Sequence, residues 1–263
     1  MAATMITERH DLAEFLAKEF ASSEPLVEGL LYKEQNALLV ATQKAGKTIL
    51  TCQLALCVSH GVDFLRWRVP TPRKVLYYAF EGSNASLQMR FRRQAAGLGI
   101  PDIRPGQLII ERVPYLFLSQ TETLATVDAT ITKERPDLVI FDPLYRLLTG
   151  GSITKDEVVM PMTWALLALS MSHHHATWLP THEHRAKYDS FGQQYETMTQ
   201  RYAGSYVLAA WCDAMYGLTL EKQSKKAQFL TYFERDEDEE GPRVPLQLKL
   251  RSEPARLMFE VSI

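Results

Sequence analysis

A short segment around residues 41–49 has the residue types that bind the phosphates of a nucleotide. Gly46, Lys47 and Thr48 follow an apolar strand-like run at Asn36–Val40 and precede an apolar helix-like run at Ile49–Val58. At such a strand–loop–helix junction, backbone N–H groups cradle phosphate oxygens, the lysine neutralises their charge and the hydroxyl binds Mg²⁺. The segment therefore predicts a P-loop that takes ATP with Mg²⁺.

The first position of the P-loop pattern departs from the usual glycine. The pattern is Gly-x4-Gly-Lys-Ser/Thr, and Ala41 occupies its first position. An alanine can occupy this position if the backbone there needs no positive φ. The alternative to a P-loop is an ordinary turn that happens to contain Gly-Lys-Thr. The residues predicted to contact the nucleotide are Thr42, Gln43, Lys44, Ala45, Gly46, Lys47, Thr48 and Ile49.

Two carboxylates come directly after apolar runs that predict strands. Asp142 ends Leu138–Asp142, and Glu81 follows Val75–Phe80. Open α/β sheets bind ligands at the carboxyl ends of their strands. We expect Asp142 to help hold Mg²⁺ with Thr48, and Glu81 to activate the water that attacks the γ-phosphate. The alternatives are a turn aspartate and an acid at a helix N-terminus.

A histidine ends the next apolar run. His182 follows Thr177–Leu179, a predicted fifth strand that ends at Pro180. A polar group at that strand end can sense the γ-phosphate and transmit its state to the following loop. An ordinary surface histidine is the alternative.

The elements around these residues predict an α/β fold. Strands alternate with helices up to residue 182, which is typical of a doubly wound, mostly parallel central sheet with helices on both faces. Val158–His173 predicts one of these helices, with Pro161 in its first turn. The segments 207–220, 229–233 and 244–250 predict a helix and several antiparallel strands, which form a C-terminal antiparallel extension.

Composition narrows the class of protein. The formal net charge of −2 argues against a protein that coats nucleic acid through bulk positive charge, but it leaves room for a local basic groove. The 3 cysteines have no CxxC spacing, and no run approaches the roughly 20 apolar residues that span a bilayer. These features favour a cytoplasmic protein without a membrane segment.

The chain resembles the RecA-like P-loop ATPases, especially the RepA/DnaB-like hexameric helicase group. The resemblance lies in four blocks: Leu38–Thr48, Val75–Ser83, Asp137–Pro143 and Gly204–Asp213. It implies a RecA-like ATPase domain at residues 26–263, preceded by an N-terminal helical segment at 1–25. It also implies that Glu81 is the catalytic glutamate, Asp142 the Walker B aspartate and His182 the end of the sensor strand.

The resemblance further implies assembly. Proteins of this group commonly form rings that hold ATP between subunits, where an arginine of one subunit reaches the phosphate bound by the next. Arg235 resembles that arginine by position, and Arg243 is the alternative. A homo-oligomer, with a hexameric ring favoured, is therefore expected.

Single-stranded DNA is the expected partner. The loops that contact nucleic acid in this group correspond to Leu147–Asp156 and Arg185–Tyr202. The second loop interleaves cations with aromatic rings, which suits a single strand without sequence preference. Its candidate contacts are Arg185, Lys187, Tyr188 and Arg201. A flexible loop or a subunit contact is the alternative.

These expectations favour an ATP-driven motor, a ring-forming helicase or translocase that acts on single-stranded DNA in replication. A recombination or repair ATPase with the same fold is one alternative. A nucleotide-dependent regulatory or scaffold ATPase that binds no DNA is another.

Overall fold

The computed structural model describes residues 9–19, 24–183, 204–220, 227–234, 246–253 and 256–262. The strands are β1 Pro25–Val27, β2 Leu31–Tyr32, β3 Asn36–Ala41, β4 Val75–Ala79, β5 Leu108–Arg112, β6 Leu138–Asp142, β7 Ala176–His182, β8 Ala214–Leu220, β9 Ala227–Glu234, β10 Leu246–Glu253 and β11 Arg256–Val261. The helices are α1 Leu12–Ala17, α2 Lys47–His60, α3 Asn84–Gly97, α4 Thr121–Glu134, α5 Asp156–His173 and α6 Tyr206–Trp211.

One large sheet organises the molecule. Within the described ranges its strand order is β11-β10-β9-β8-β3-β7-β6-β4-β5. The strands from β8 to β5 in that order pair in parallel. Strands β9, β10 and β11 pair antiparallel at the β8 edge. This confirms the doubly wound, mostly parallel sheet with a C-terminal antiparallel extension.

Helices cover both faces of the sheet, so its central strands are buried on both sides. Along β3, Leu39 packs with the helix α2 side of the core, while Leu38 and Val40 pack with residues of α4, α5 and α6. Successive side chains of a strand point to opposite faces, which explains why this strand reads as a continuous apolar run. The parallel strands all end at one edge, where the candidate residues lie.

The β10–β11 hairpin reaches the helices of the α2 face. The Gln53 side chain on α2 donates to the Phe259 carbonyl at 2.9 Å and accepts from the Phe259 N–H at 2.8 Å. On α3, Gly97 lies so close to β11 that an added Cβ would meet the Met258 sulfur at 2.8 Å. The C-terminal extension therefore packs against α2 and α3.

The segment 207–220, predicted as one helix, divides into two elements. Helix α6 ends at Trp211, and strand β8 starts at Ala214 and runs parallel to β3. Asp213 fixes this change, because its carboxylate accepts from the Asn36 N–H at 2.9 Å and its own N–H donates to the Asn36 carbonyl at 2.7 Å. The chain is thereby held against the start of β3 and continues as a sixth parallel strand.

Two prolines lie deeper inside their elements than predicted. Strand β7 continues through Pro180 to His182. The N–H groups of Thr177 and Glu183 point to the β3 side of the strand, so a donor at position 180 would point to the opposite side, toward β6. The pairing of β7 with β6 ends at Trp178, and the N–H that Pro180 lacks is therefore not needed for the sheet. Helix α5 begins at Asp156, which places Pro161 in the second turn and not in the first.

The N-terminal helix α1 lies on the surface of the protein. It begins after Asp11, whose carboxylate accepts from the Ala13 N–H at 2.9 Å, and none of its side chains is buried. The division of the chain into 1–25 and 26–263 stays a prediction. Among the described helices, none has both the length and the apolar character that crossing a bilayer requires.

Candidate functional site

The P-loop is a tight turn between β3 and α2. Gly46 has φ 93° and caps α2, Lys44 has φ 64°, and the Ala45 N–H donates to the Thr42 carbonyl at 3.1 Å. Ala41 is the last residue of β3 and keeps a strand conformation, so the position needs no glycine. The turn directs the N-terminus of α2, with its first N–H groups, out of the edge of the sheet.

Two separate features require a glycine at position 46. Its positive φ strains any other residue, and an added Cβ would lie 2.7 Å from the Phe259 ring. Phe259 is buried beneath the turn, on the edge strand β11. The antiparallel extension thus supports the P-loop from below, a contact that the local sequence does not reveal.

Lys47 and Asp142 face each other inside the protein. Their side chains are 8% and 2% exposed, and the Lys47 Nζ lies 3.9 Å from the Asp142 Oδ1. Burial lowers the pKa of the Lys47 ammonium, while the charges of Asp142 and Glu81 oppose this shift. A buried ammonium beside a helix N-terminus is a strong attractor for phosphate, since little water screens it.

Asp142 has one satisfied oxygen and one that is not. The Tyr77 hydroxyl donates to its Oδ2 at 2.7 Å, whereas its buried Oδ1 has no hydrogen-bond partner among the described residues. Buried polar atoms are nearly always satisfied, so this carboxylate oxygen is free to accept a further ligand. Carboxylate and hydroxyl oxygens are ligands that Mg²⁺ prefers, and Asp142 with Thr48 therefore fits this cation.

Asp142 and Thr48 line a cavity of about 180 Å³. Its lining includes Thr48, Glu81 and Asp142, which the sequence predicted, and Tyr77 and Arg90, which it did not. Arg90 comes one helical turn after the buried Leu87 on α3, so the two residues share one face of the helix. This spacing could have predicted from the sequence that Arg90 faces the cavity. The structure thus brings the predicted metal ligands and the predicted catalytic glutamate to one cavity.

Glu81 belongs to the exposed side of the cavity. Its carboxylate accepts a hydrogen bond from the Tyr145 hydroxyl and lies 4.0 Å from the Arg146 guanidinium. Both partners belong to the 3-10 turn Leu144–Leu147 that follows β6, and the Arg146 guanidinium lies 5.0 Å from the centre of the Tyr145 ring. Glu81 is therefore tied to this turn in the structure.

The other predicted P-loop residues differ in exposure. Gln43 and Lys44 are exposed, whereas Ile49 is half-buried and its carbonyl accepts from the Gln94 side chain at 2.7 Å. His182 pairs with Ala41 at the end of β7, and its side chain is exposed. His182 therefore lies next to the start of the P-loop, while its sensor role stays a prediction.

Several predicted residues lie outside the described part of the chain: Arg185, Lys187, Tyr188, Arg201, Arg235 and Arg243. The first predicted DNA loop, Leu147–Asp156, is described. Leu147 and Leu148 are buried, Lys155 is its one cation, and the Asp156 carboxylate accepts from the Ser205 hydroxyl at 2.6 Å. This loop by itself offers little charge for a nucleic-acid backbone.

Comparisons with known proteins agree with this geometry. A model of a family described as "AAA domain" matches residues 4–187. The fold is similar to a KaiC-like protein, PH0186, from Pyrococcus horikoshii OT3, with a TM-score of 0.57, 12% identity and coverage of 89% of this chain and 93% of that one. It is also similar to the RadB recombinase, with a TM-score of 0.58, 14% identity and coverage of 88% and 92%. No curated protein sequence matches significantly.

The two structural neighbours establish a RecA-like fold. At 12% and 14% identity they say nothing about substrate or partner. The RecA-like P-loop ATPase prediction is confirmed at this level, while the narrower RepA/DnaB-like grouping stays a prediction.

Proposed function

The chain belongs to the AAA domain family, and on that premise we propose that it is a Mg²⁺-dependent ATPase that moves along single-stranded DNA as a homo-oligomer. The observation that carries the ATPase part is the buried pair of Lys47 and Asp142, because Asp142 lines a cavity together with Thr48 and Glu81. Such a site has the cation, the metal ligands and the base that phosphoryl transfer to water needs.

The P-loop holds the triphosphate. The N–H groups at the start of α2 donate to phosphate oxygens, and the Lys47 ammonium neutralises their charge inside a poorly hydrated site. The candidate contacts run from Thr42 to Ile49. Because Lys47 is already buried beside Asp142, little reorganisation accompanies the reaction.

The metal ligands of this chain are Thr48 and Asp142. Mg²⁺, when bound, supplies positive charge that offsets the charge developing on the phosphate oxygens. The Thr48 hydroxyl and the orphaned Asp142 oxygen are the groups of this chain that would hold it.

Glu81 acts on the attacking water. Its carboxylate orients the water in line with the γ-phosphate and takes its proton as the new P–O bond forms and ADP leaves. To do so it must leave the Tyr145 hydroxyl, which donates to it in the structure. His182, which pairs with Ala41 at the end of β7, is the candidate residue that senses the γ-phosphate.

A second copy of the chain completes the site in this proposal. Glu81 and Arg146 are about half exposed, which leaves that side of the cavity open to a neighbouring subunit. Arg235 is the candidate arginine that reaches the neighbour's phosphate, with Arg243 as the alternative. The hexameric ring and the cytoplasmic location stay predictions.

The DNA part of the proposal is supported by the Arg185–Tyr202 segment. Its cations and aromatic rings suit the phosphates and bases of a single strand, through Arg185, Lys187, Tyr188 and Arg201. A recombination or repair ATPase that forms filaments on DNA has the same fold and is the second candidate.

The test is ATP hydrolysis with and without a single-stranded oligonucleotide. Wild-type hydrolysis should rise with DNA, and Lys187→Ala combined with Tyr188→Ala should weaken this stimulation. Lys133→Ala, which removes an exposed cation on α4, is the matched control. Absence of stimulation in the wild type would contradict the DNA motor and favour a regulatory ATPase.

Native mass measurement and a strand-separation assay then distinguish the helicase from the recombination ATPase. A closed ring that unwinds a duplex supports the helicase, whereas a filament with little unwinding supports the recombinase.

A further inference from the structure

The Walker B carboxylate has a buried partner. The Tyr77 hydroxyl lies 2.7 Å from the Asp142 Oδ2 and 3.5 Å from the Cys52 sulfur. An ionised carboxylate only accepts, so Tyr77 donates to Asp142, and its oxygen then accepts from the Cys52 thiol. The three residues form a chain of hydrogen bonds, Cys52 to Tyr77 to Asp142, at the base of the cavity.

The Tyr77 ring has little freedom to move. It is fully buried on β4 and meets the Phe91 ring edge-on, with centroids 5.9 Å apart and planes at 83°. Because packing fixes the ring and Cys52 engages its oxygen, the hydroxyl proton is directed at Asp142. The direction of this hydrogen bond is therefore set by the core and not by the cavity.

We propose that Tyr77 is a positioning residue that decides which oxygen of Asp142 faces the cation. With Oδ2 engaged, Oδ1 is left toward the Lys47 ammonium, in a carboxylate that lines the cavity together with Thr48. Without the hydroxyl, the carboxylate is free to turn and close onto Lys47 as a direct ion pair, in competition with the metal. The inference deepens the proposed function and rests on it.

The chain contains a matched control for this hydroxyl. Tyr78 is the next residue of β4, is also buried, and stacks on Phe141 on the opposite face of the sheet at 5.1 Å. Loss of either hydroxyl leaves a buried phenyl ring on the same strand, but only the Tyr77 hydroxyl contacts Asp142.

The experiment measures metal affinity directly. Mn²⁺ is titrated by electron paramagnetic resonance into the protein with ADP, for the wild type, Tyr77→Phe and Tyr78→Phe. We expect Tyr77→Phe to bind Mn²⁺ about tenfold more weakly, because loss of a partner that orients a metal ligand has effects of this size. Tyr78→Phe should match the wild type, and the affinity for ADP in EDTA should be equal in all three.

Equal Mn²⁺ affinity in Tyr77→Phe and Tyr78→Phe would overturn the inference and leave the proposed function standing. Failure of the wild type to bind Mn²⁺ with ADP would overturn both. Should Tyr77→Phe not fold, Cys52→Ala gives the second test, since it removes the donor to Tyr77. It should weaken Mn²⁺ binding less, in the same direction, and unchanged affinity would count against the inference.

Discussion

The two halves of the candidate site differ in how they are held. Lys47 and Asp142 are 8% and 2% exposed, whereas Glu81 and Arg146 are 48% and 40% exposed. Tyr77, from the core, fixes the first half, and Tyr145, from a surface turn, restrains the second. In the proposed mechanism, one chain therefore builds the phosphate and metal side by itself, and the water-activating side is free to rearrange.

The register of the sheet explains the rigidity of the buried half. Ala79 pairs with Asp142 and Tyr77 with Ile140, so a residue two positions earlier on β4 reaches the carboxylate at the end of β6. Glu81 lies beyond the last residue of β4, where the ladder no longer fixes the backbone. We therefore expect substitutions in the buried half, at Lys47 or Asp142, to be poorly tolerated. The position of Glu81 in the exposed half should depend on the residues that contact it.

The largest expected effect is on the buried half. Lys47→Ala removes the one buried ammonium at the P-loop turn, and we expect the rate of ATP hydrolysis to fall by about 1000-fold, as for loss of a preorganised charge stabiliser. Phosphate release with saturating Mg²⁺ measures this, and circular dichroism checks the fold. Turnover near the wild-type rate would remove Lys47 from the site.

The next effect concerns the exposed half. Glu81→Gln keeps the shape but cannot accept the proton, so hydrolysis should fall by about 100-fold while ATP still binds. Fluorescent nucleotide binding and single-turnover hydrolysis separate the two quantities. An unchanged rate would show that another group activates the water.

The smallest effect tests the restraint on Glu81. Tyr145→Phe removes the hydroxyl that donates to this carboxylate, and we expect the basal rate to rise about threefold, the size of a modest hydrogen bond. Tyr115→Phe, which alters an exposed tyrosine stacked on Phe117, is the control. A fall in rate for Tyr145→Phe alone would mean that the hydroxyl orients Glu81 for reaction.

Much of the site could be predicted because its residues follow local patterns. Asp142 and Glu81 end apolar runs, and such runs become parallel strands whose ends meet at one edge. The P-loop lies between a strand and a helix, and in that context its residue types predict phosphate binding. These relations need only the order of the elements, which alternating hydrophobic runs give with good accuracy.

The contacts that support the site could not be predicted in this way. Tyr77 meets Asp142, and Phe259 meets Gly46, across elements that are far apart in sequence. An apolar or aromatic residue within a strand looks the same whether it fills the core or orients a ligand. The division of residues 207–220 into a helix and a strand also depends on a distant partner, the Asn36 backbone that Asp213 engages.

The most direct test of the account is the Mg²⁺ dependence of ATP hydrolysis by the wild type and by Asp142→Asn, which keeps the shape of the side chain but loses its charge. If Asp142 holds Mg²⁺ for the reaction, the wild type should release phosphate at a rate that saturates with Mg²⁺, and Asp142→Asn should release almost none at any Mg²⁺ concentration. Equal rates in the two proteins, or no hydrolysis by the wild type under any of these conditions, would contradict it.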